Sequence, residues 1–313
     1  MPDTNRSSKP NLFWLPGRIG LRAGWRIVLN LLVMLFLSGC VFSISLAAFP
    51  AWLSTLGSSD SLLNLPPELF LLNGLVSSTA MTMSVFIASI AFDRRRFSAY
   101  GLQINRRWGG EFLLGLLLGG LLMSLLFGIE RLAGWLKAPD AVISPNFTGI
   151  ALSLLLYTAV GWGEEILARG FQFTVLREGF LRRGASQTRA GVAALLASSI
   201  LFATMHSLNP HMSPAAWLNL MLAGIMLGLP MLLTGRLGMS IGVHITWNFF
   251  QGAIFSFPVS GSPQMASLFS WVQTGPAWLT GGAFGPEGGL LGTLIMLLGI
   301  GCMFLFLRPR NSH

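Results

Sequence analysis

The chain has 313 residues, of which 53% are hydrophobic and only 10% charged, and its mean hydropathy is +0.66. Soluble domains carry about 25% charged residues. A soluble globular enzyme, a disordered chain and a disulfide scaffold are therefore excluded, and an all-α polytopic membrane protein remains. The net charge of +9 would point to nucleic acid in a soluble protein; in a membrane protein it asks on which side the basic residues lie.

In chain order, residues 27–49 form an uncharged run that crosses a ~30 Å hydrocarbon core at ~1.5 Å per residue. Residues 69–92, 112–129 and 141–163 supply three more spans. Residues 190–235 contain no Asp, Glu, Lys or Arg and are too long for one span. Asn209-Pro210 and Pro214 divide them in two, because proline ends or kinks a helix. Residues 237–286 break similarly near Pro258, and residues 288–307 are the last span. The expected count is eight, with both termini on the cytoplasmic side.

The basic residues support this count. Eighteen of the 20 Lys and Arg fall in the N-terminal segment, after spans 2, 4 and 6, and after span 8; Arg131 and Lys137 alone fall on the other side. This is the positive-inside pattern. It makes the +9 a topological charge whose partners are anionic membrane lipids, not nucleic acid. The domain reading is a basic cytoplasmic segment at 1–26, a membrane domain at 27–307 and a cytoplasmic tail at 308–313. The first apolar run is too long for a signal-peptide core, so no cleavage is expected. Cys40 and Cys302 read as inert apolar residues within spans. Asn146-Phe-Thr148 fits a glycosylation sequon by pattern. The Gly- and Trp-rich segment 259–287 reads as an interfacial loop anchored by Trp271 and Trp278, with a lid or docking role as the alternative.

An ionisable side chain at membrane depth costs roughly 2.5–3.5 kcal/mol even on lenient scales, so each one is a functional candidate. Three groups qualify: Glu164, Glu165 and Arg169 on span 4, His206 near Phe202 on span 5, and His244 with Asn248 on span 7. Glu165 and Arg169 stand i,i+4 and can pair, which turns Glu164 about 100° away. Phe202 and His206 share a face by the same spacing, as do His244 and Asn248. The sequence stays helix-compatible past Glu164 to about residue 180. A hairpin turning near 185 then brings Glu164 and His206 level, in a polar pocket expected to open toward the cytoplasm.

A carboxylate in an apolar pocket can act as general base, and with a histidine it can activate water. A histidine and an asparagine on another helix can hold a developing oxyanion. No serine or cysteine stands in a nucleophile motif, so the fitting chemistry is direct attack of water on an acyl carbon. Glu164, His206 and His244 would also make a zinc ligand set, although the helical His-Glu-x-x-His spacing is absent. Read without chemistry, the same residues are an ion pair and interhelical hydrogen bonds.

Glu164-Glu165-x-x-x-Arg169, Phe202-x-x-x-His206 and His244-x-x-x-Asn248, in this order on an eight-span chain, resemble the three motifs of the CPBP family. These are the CAAX-processing and bacteriocin-processing intramembrane endopeptidases, also called Abi proteins. The resemblance covers about residues 140–260. It implies a peptide hydrolase in which Glu164 is the base and His206 its partner. His244 and Asn248 would stabilise the oxyanion, and Glu165, Arg169 and Phe202 would support the site. No cofactor is implied, with zinc on Glu164, His206 and His244 as the alternative.

The expected substrates are prenylated CAAX-type proteins or other membrane-associated peptides. The expected location is a bacterial inner membrane. A non-catalytic scaffold or immunity protein is the competing reading. A transporter is a third, and it lacks the inverted repeats it would need.

Overall fold

The computed structural model describes residues 21–48, 67–138 and 145–307. Arg6, Lys9, Arg18, Arg308, Arg310, the tail and most of the N-terminal segment lie outside these residues, as does the start expected for span 4. The described residues are mainly helical. In chain order they form α1 (Ala23–Ala48), α2 (Pro67–Ala91), α3 (Arg106–Leu132) and α4 (Phe147–Glu165). There follow α5 (Phe173–Arg182), α6 (Gln187–Met205), α7 (Pro214–Thr234), α8 (Gly238–Asn248) and α9 (Leu290–Leu307). Two π-helical segments, Ile166–Gln172 and Phe249–Ile254, continue α4 into α5 and extend α8. Leu136–Lys137 (β1) and Val272–Gln273 (β2) pair antiparallel, Leu136 opposite Gln273.

Seven helices are long and apolar enough to cross a membrane, and the chain is an integral membrane protein of the all-α class. Leu35, Phe36, Leu117, Leu121 and Leu305 are exposed on α1, α3 and α9, as lipid-facing positions should be. The region expected as span 7 differs: α8 has eleven residues and its π extension six. Nearly all of α8 is buried, so it faces protein on every side.

Local chemistry explains the helix ends. Asn146 caps α4, its Oδ1 accepting from the Gly149 N–H at 3.0 Å, which gives the sequon asparagine a structural task. Ser213 caps α7 ahead of Pro214 at the first helical position, and Gly235 ends it in the left-handed conformation at φ 69°. The turn between α5 and α6 falls at 183–186, where it was expected. α3 starts six residues before the expected span. Its first turns carry Arg106, Arg107 and Glu111, and charges at a helix end can reach polar surroundings.

α3 and α8 make the closest helix pair. Gly115 and Gly119 of α3 lie against the Met239 and Val243 backbone of α8, and Gly238 and Gly242 of α8 against the Trp108 and Phe112 backbone of α3, so the backbones touch. A Cβ on Gly242 would collide with the Phe112 carbonyl and the Leu116 amide. Small residues four apart allow this approach where lipid supplies no hydrophobic drive between helices.

The two ends of the bundle differ in charge. At one end the connections 92–105, 183–186 and 235–237 meet. There Arg26 pairs with Asp93 at 2.5 Å and with Glu178 at 2.8 Å, and Arg95 pairs with Glu178 at 2.6 Å. The Tyr100 hydroxyl donates to Asp93, and Arg236 pairs with Glu111. At the other end, among the described residues, Arg131 and Lys137 are the only Lys or Arg.

The segment 259–287 folds back over this second end. β2 pairs with β1, Trp271 lies 6.0 Å from Phe127, and the Arg131 guanidinium sits 5.3 Å over the Trp271 ring. Trp271 therefore packs into protein, and of the two expected anchors only Trp278 stays exposed.

Candidate active site

α4 delivers Glu164 and Glu165 at mid-length of a continuous 36-residue rod, Phe147–Arg182. The π segment begins at the next residue, Ile166. Such segments widen the helix locally and re-aim side chains, and they are frequent at functional sites. The spacing of apolar residues cannot reveal them, and neither π segment was anticipated.

The pairings read from helical spacing are present. Arg169 donates to Glu165 Oε1 at 2.7 Å, and both side chains are buried. The Arg169 guanidinium also lies 4.2 Å over the Phe202 ring, which puts Phe202 between the motifs. The Phe202 ring is 4.6 Å from that of His206 and 6.5 Å from that of His244. His206 stands one residue beyond α6, at its C-cap.

Glu164 is the meeting point. Its Oε2 lies 3.9 Å from His206 Nε2 and 3.8 Å from His244 Nε2. These separations are too long for direct hydrogen bonds and leave the carboxylate without one among the described residues.

The other ring nitrogens are fixed. His206 Nδ1 is 2.8 Å from the Phe202 carbonyl, which can only accept, so Nδ1 carries the proton. In the neutral ring, His206 Nε2 then turns a lone pair toward Glu164. His244 Nδ1 donates to Glu165 Oε1 at 2.8 Å, the oxygen that Arg169 also binds. Arg169, Glu165 and His244 thus form one chain that sets the orientation of His244. His244 Nε2 can donate only when the ring is doubly protonated.

Glu164, His206, His244 and Asn248 line one cavity of about 320 Å³. Asn248 is buried, yet its side chain makes no hydrogen bond among the described residues, which leaves its amide available to the cavity. Most of the remaining wall is apolar, including Leu156, Leu220, Met226 and Trp247. Among the described residues no group of three His, Cys, Asp or Glu side chains is arranged to hold a metal ion.

Polar wall residues that were not anticipated include Asn73, Ser77 and Ser78 of α2, and a second group, Asn209, Ser260, Ser262 and Glu287. The second group comes from the connections 206–213 and 255–289, at the end away from the basic one. No residue of the basic-end connections lines the cavity. Glu287 was visible as one of only eleven Asp and Glu residues, but no helical spacing tied it to the motifs.

Residues 145–250 are similar to the Rce1-like family of type II CAAX prenyl endopeptidases. The match takes in all three motifs and supports the CPBP resemblance over roughly a third of the chain. No curated protein and no solved structure matches. The Rce1-like segment supports a CAAX-type membrane protease in general terms. Within the fold it spans α4 to α8, and Glu287 lies outside it.

Proposed function

We propose that this protein is an intramembrane endopeptidase that hydrolyses a peptide bond with water activated between Glu164 and His206. The observation that carries the reading is the placement of Glu164 Oε2 within 4 Å of both histidine Nε2 atoms, on the wall of a cavity lined mainly by the Rce1-like segment. A water in that gap can donate to Glu164 and to the His206 lone pair. Glu164 takes one proton as the water oxygen attacks the scissile carbonyl. The carbonyl oxygen becomes an oxyanion, to which the Asn248 amide and a protonated His244 donate. The proton held by Glu164 passes to the leaving amine as the C–N bond breaks. Glu165 and Arg169 position His244, and Phe202 packs between Arg169 and His206.

The fold supports eight crossings in the same reading, with α8 and its π extension as the internal one. The basic end would face the cytoplasm, and both termini would lie there. The domain division is one membrane domain with short flanking segments. Substrates would be peptide segments of membrane-associated proteins, prenylated CAAX-type chains among them, and a bacterial inner membrane is the proposed setting.

The test is purified protein in liposomes with prenylated and unprenylated peptide libraries, assayed with and without a chelator. Wild-type cleavage that Glu164→Gln abolishes supports the reading. An intact, folded protein that cleaves nothing turns it toward a scaffold. Chelator-sensitive cleavage restored by zinc would assign Glu164, His206 and His244 to a metal instead.

A further inference from the structure

Glu287 is the acidic residue that the motifs leave unexplained. Only 6% of its surface is exposed, and it lines the same cavity as Glu164. Its Oε2 accepts from the Ser260 backbone N–H at 2.6 Å and from the Ser260 hydroxyl at 2.9 Å. Asn209 Nδ2 in turn donates to the Ser260 carbonyl at 2.8 Å. Ser260 is held at a φ of 48°, a region that side chains other than glycine seldom occupy. The carboxylate is therefore anchored by a tightly specified loop and is not a mobile surface group.

What Glu287 lacks is a permanently charged partner. Among the described residues no Lys or Arg pairs with it, and none lines the cavity. Burial pushes its carboxyl above the usual range, while the Ser260 hydrogen bonds, Gln251 and the nearby His206 pull the other way. The comparison with Glu165 is direct. Glu165 is equally buried but is matched by Arg169, so its charge is spent inside the fold. Glu164 and Glu287 are the two cavity carboxylates with no Lys or Arg beside them. Buried carboxylates are normally paired with a cation, and a peptide entering this cavity can supply one.

Resting on the endopeptidase reading above, we propose that Glu287 is a specificity-determining residue that receives the ammonium or guanidinium of a substrate Lys or Arg side chain near the scissile bond. The site would then prefer a basic residue over an apolar one of similar length. It would disfavour an acidic residue at the same position by like-charge repulsion. The Ser260 contacts fix the direction of the carboxylate, so the preference should be confined to one position relative to the cut.

The experiment uses the full-length protein in liposomes. The probes are peptide pairs that differ only at single positions flanking the cleavage site, carrying Lys, Met or Glu. The readout is the ratio of kcat/KM for the Lys peptide to that for the Met peptide. A wild-type ratio of at least tenfold at one position, reduced to near unity in Glu287→Gln, supports the proposal. Glu287→Lys should invert the preference toward the Glu peptide. Asn209→Ala, which loosens the same loop without removing the carboxylate, separates a structural effect from a charge effect. If Asn209→Ala abolishes the Lys preference as fully as Glu287→Gln, the loop and not the charge selects. Cleavage by the wild type without any Lys preference overturns the proposal and leaves the endopeptidase reading standing. Absence of all cleavage counts against that reading, and with it against this one.

Discussion

Two clusters of buried charge sit in this molecule, and they are built differently. At the basic end, Arg26, Arg95, Asp93 and Glu178 pair across α1, the α2–α3 connection and α5 at 2.5 to 2.8 Å. At mid-depth, Arg169, Glu165 and His244 are just as tightly joined, but Glu164 beside them has its nearest histidine nitrogens at 3.8 and 3.9 Å. The first cluster ties elements together. The second ends in an acceptor aimed into a cavity with space for a reacting group. Burial of charge alone therefore does not mark a site here; the unmatched member of the cluster does.

The strongest way to test that contrast is Glu164→Gln. It removes a cavity carboxylate that accepts no direct hydrogen bond among the described residues, so the expected loss of peptide hydrolysis is about 10²–10⁴-fold. The melting temperature in detergent should move by little, because no ion pair within 3 Å is broken. A large fall in melting temperature would mean that Glu164 belongs to the fold after all.

Glu165→Ala should behave in the opposite way. It leaves Arg169 buried without its partner and should cost about 3–5 kcal/mol of stability. It also releases His244 Nδ1, so the protein that does fold should be slow. Replacing both Glu165 and Arg169 by methionine removes the stranded charge. Thermal melts should then recover while hydrolysis does not, because His244 still lacks its positioning partner. Recovery of both would reduce Glu165 to a purely structural residue.

At the basic end, Asp93→Ala gives the smaller effect expected of a cluster with a spare partner, since Arg26 keeps Glu178. A loss of about 1–3 kcal/mol is expected, the cost of stranding a buried polar group. The kcat/KM of the folded fraction should match the wild type. A change in kcat/KM would show that the two clusters communicate through the rod Phe147–Arg182.

How far these clusters were legible beforehand depends on how local their causes are. Glu165 with Arg169 and Phe202 with His206 followed from i,i+4 spacing, because one turn of helix decides both. The level of Glu164 with His206 followed from a single hairpin turn and the continuity of α4 into α5. The π segments after Glu165 and Asn248 were not legible, since no residue pattern distinguishes a widened turn from an ordinary one. Glu287 and Ser260 were missed because a Gly-rich connection has no periodicity from which to compute a direction. Asp93 with Arg26 was missed because the pairing depends on how α1 packs, not on spacing along either segment.

The smallest expected effect lies at the far end of the helix that carries Glu164. Asn146→Ala removes the α4 cap, whose Oδ1 accepts from the Gly149 N–H, and should cost about 1 kcal/mol. Eighteen residues separate the cap from Glu164, about 27 Å of helix at 1.5 Å per residue. The close packing of Gly163 against Ser78 holds the middle of the rod Phe147–Arg182 independently of its start. Fraying of the first turn should therefore leave hydrolysis unchanged while lowering the melting temperature slightly. Asn146→Ser, which also caps, should restore the melt. A drop in hydrolysis with Asn146→Ala would mean that the cavity wall near Leu156 and Tyr157 depends on the end of α4. The site would then be held from the cap side as well as by its own chain of ion pairs.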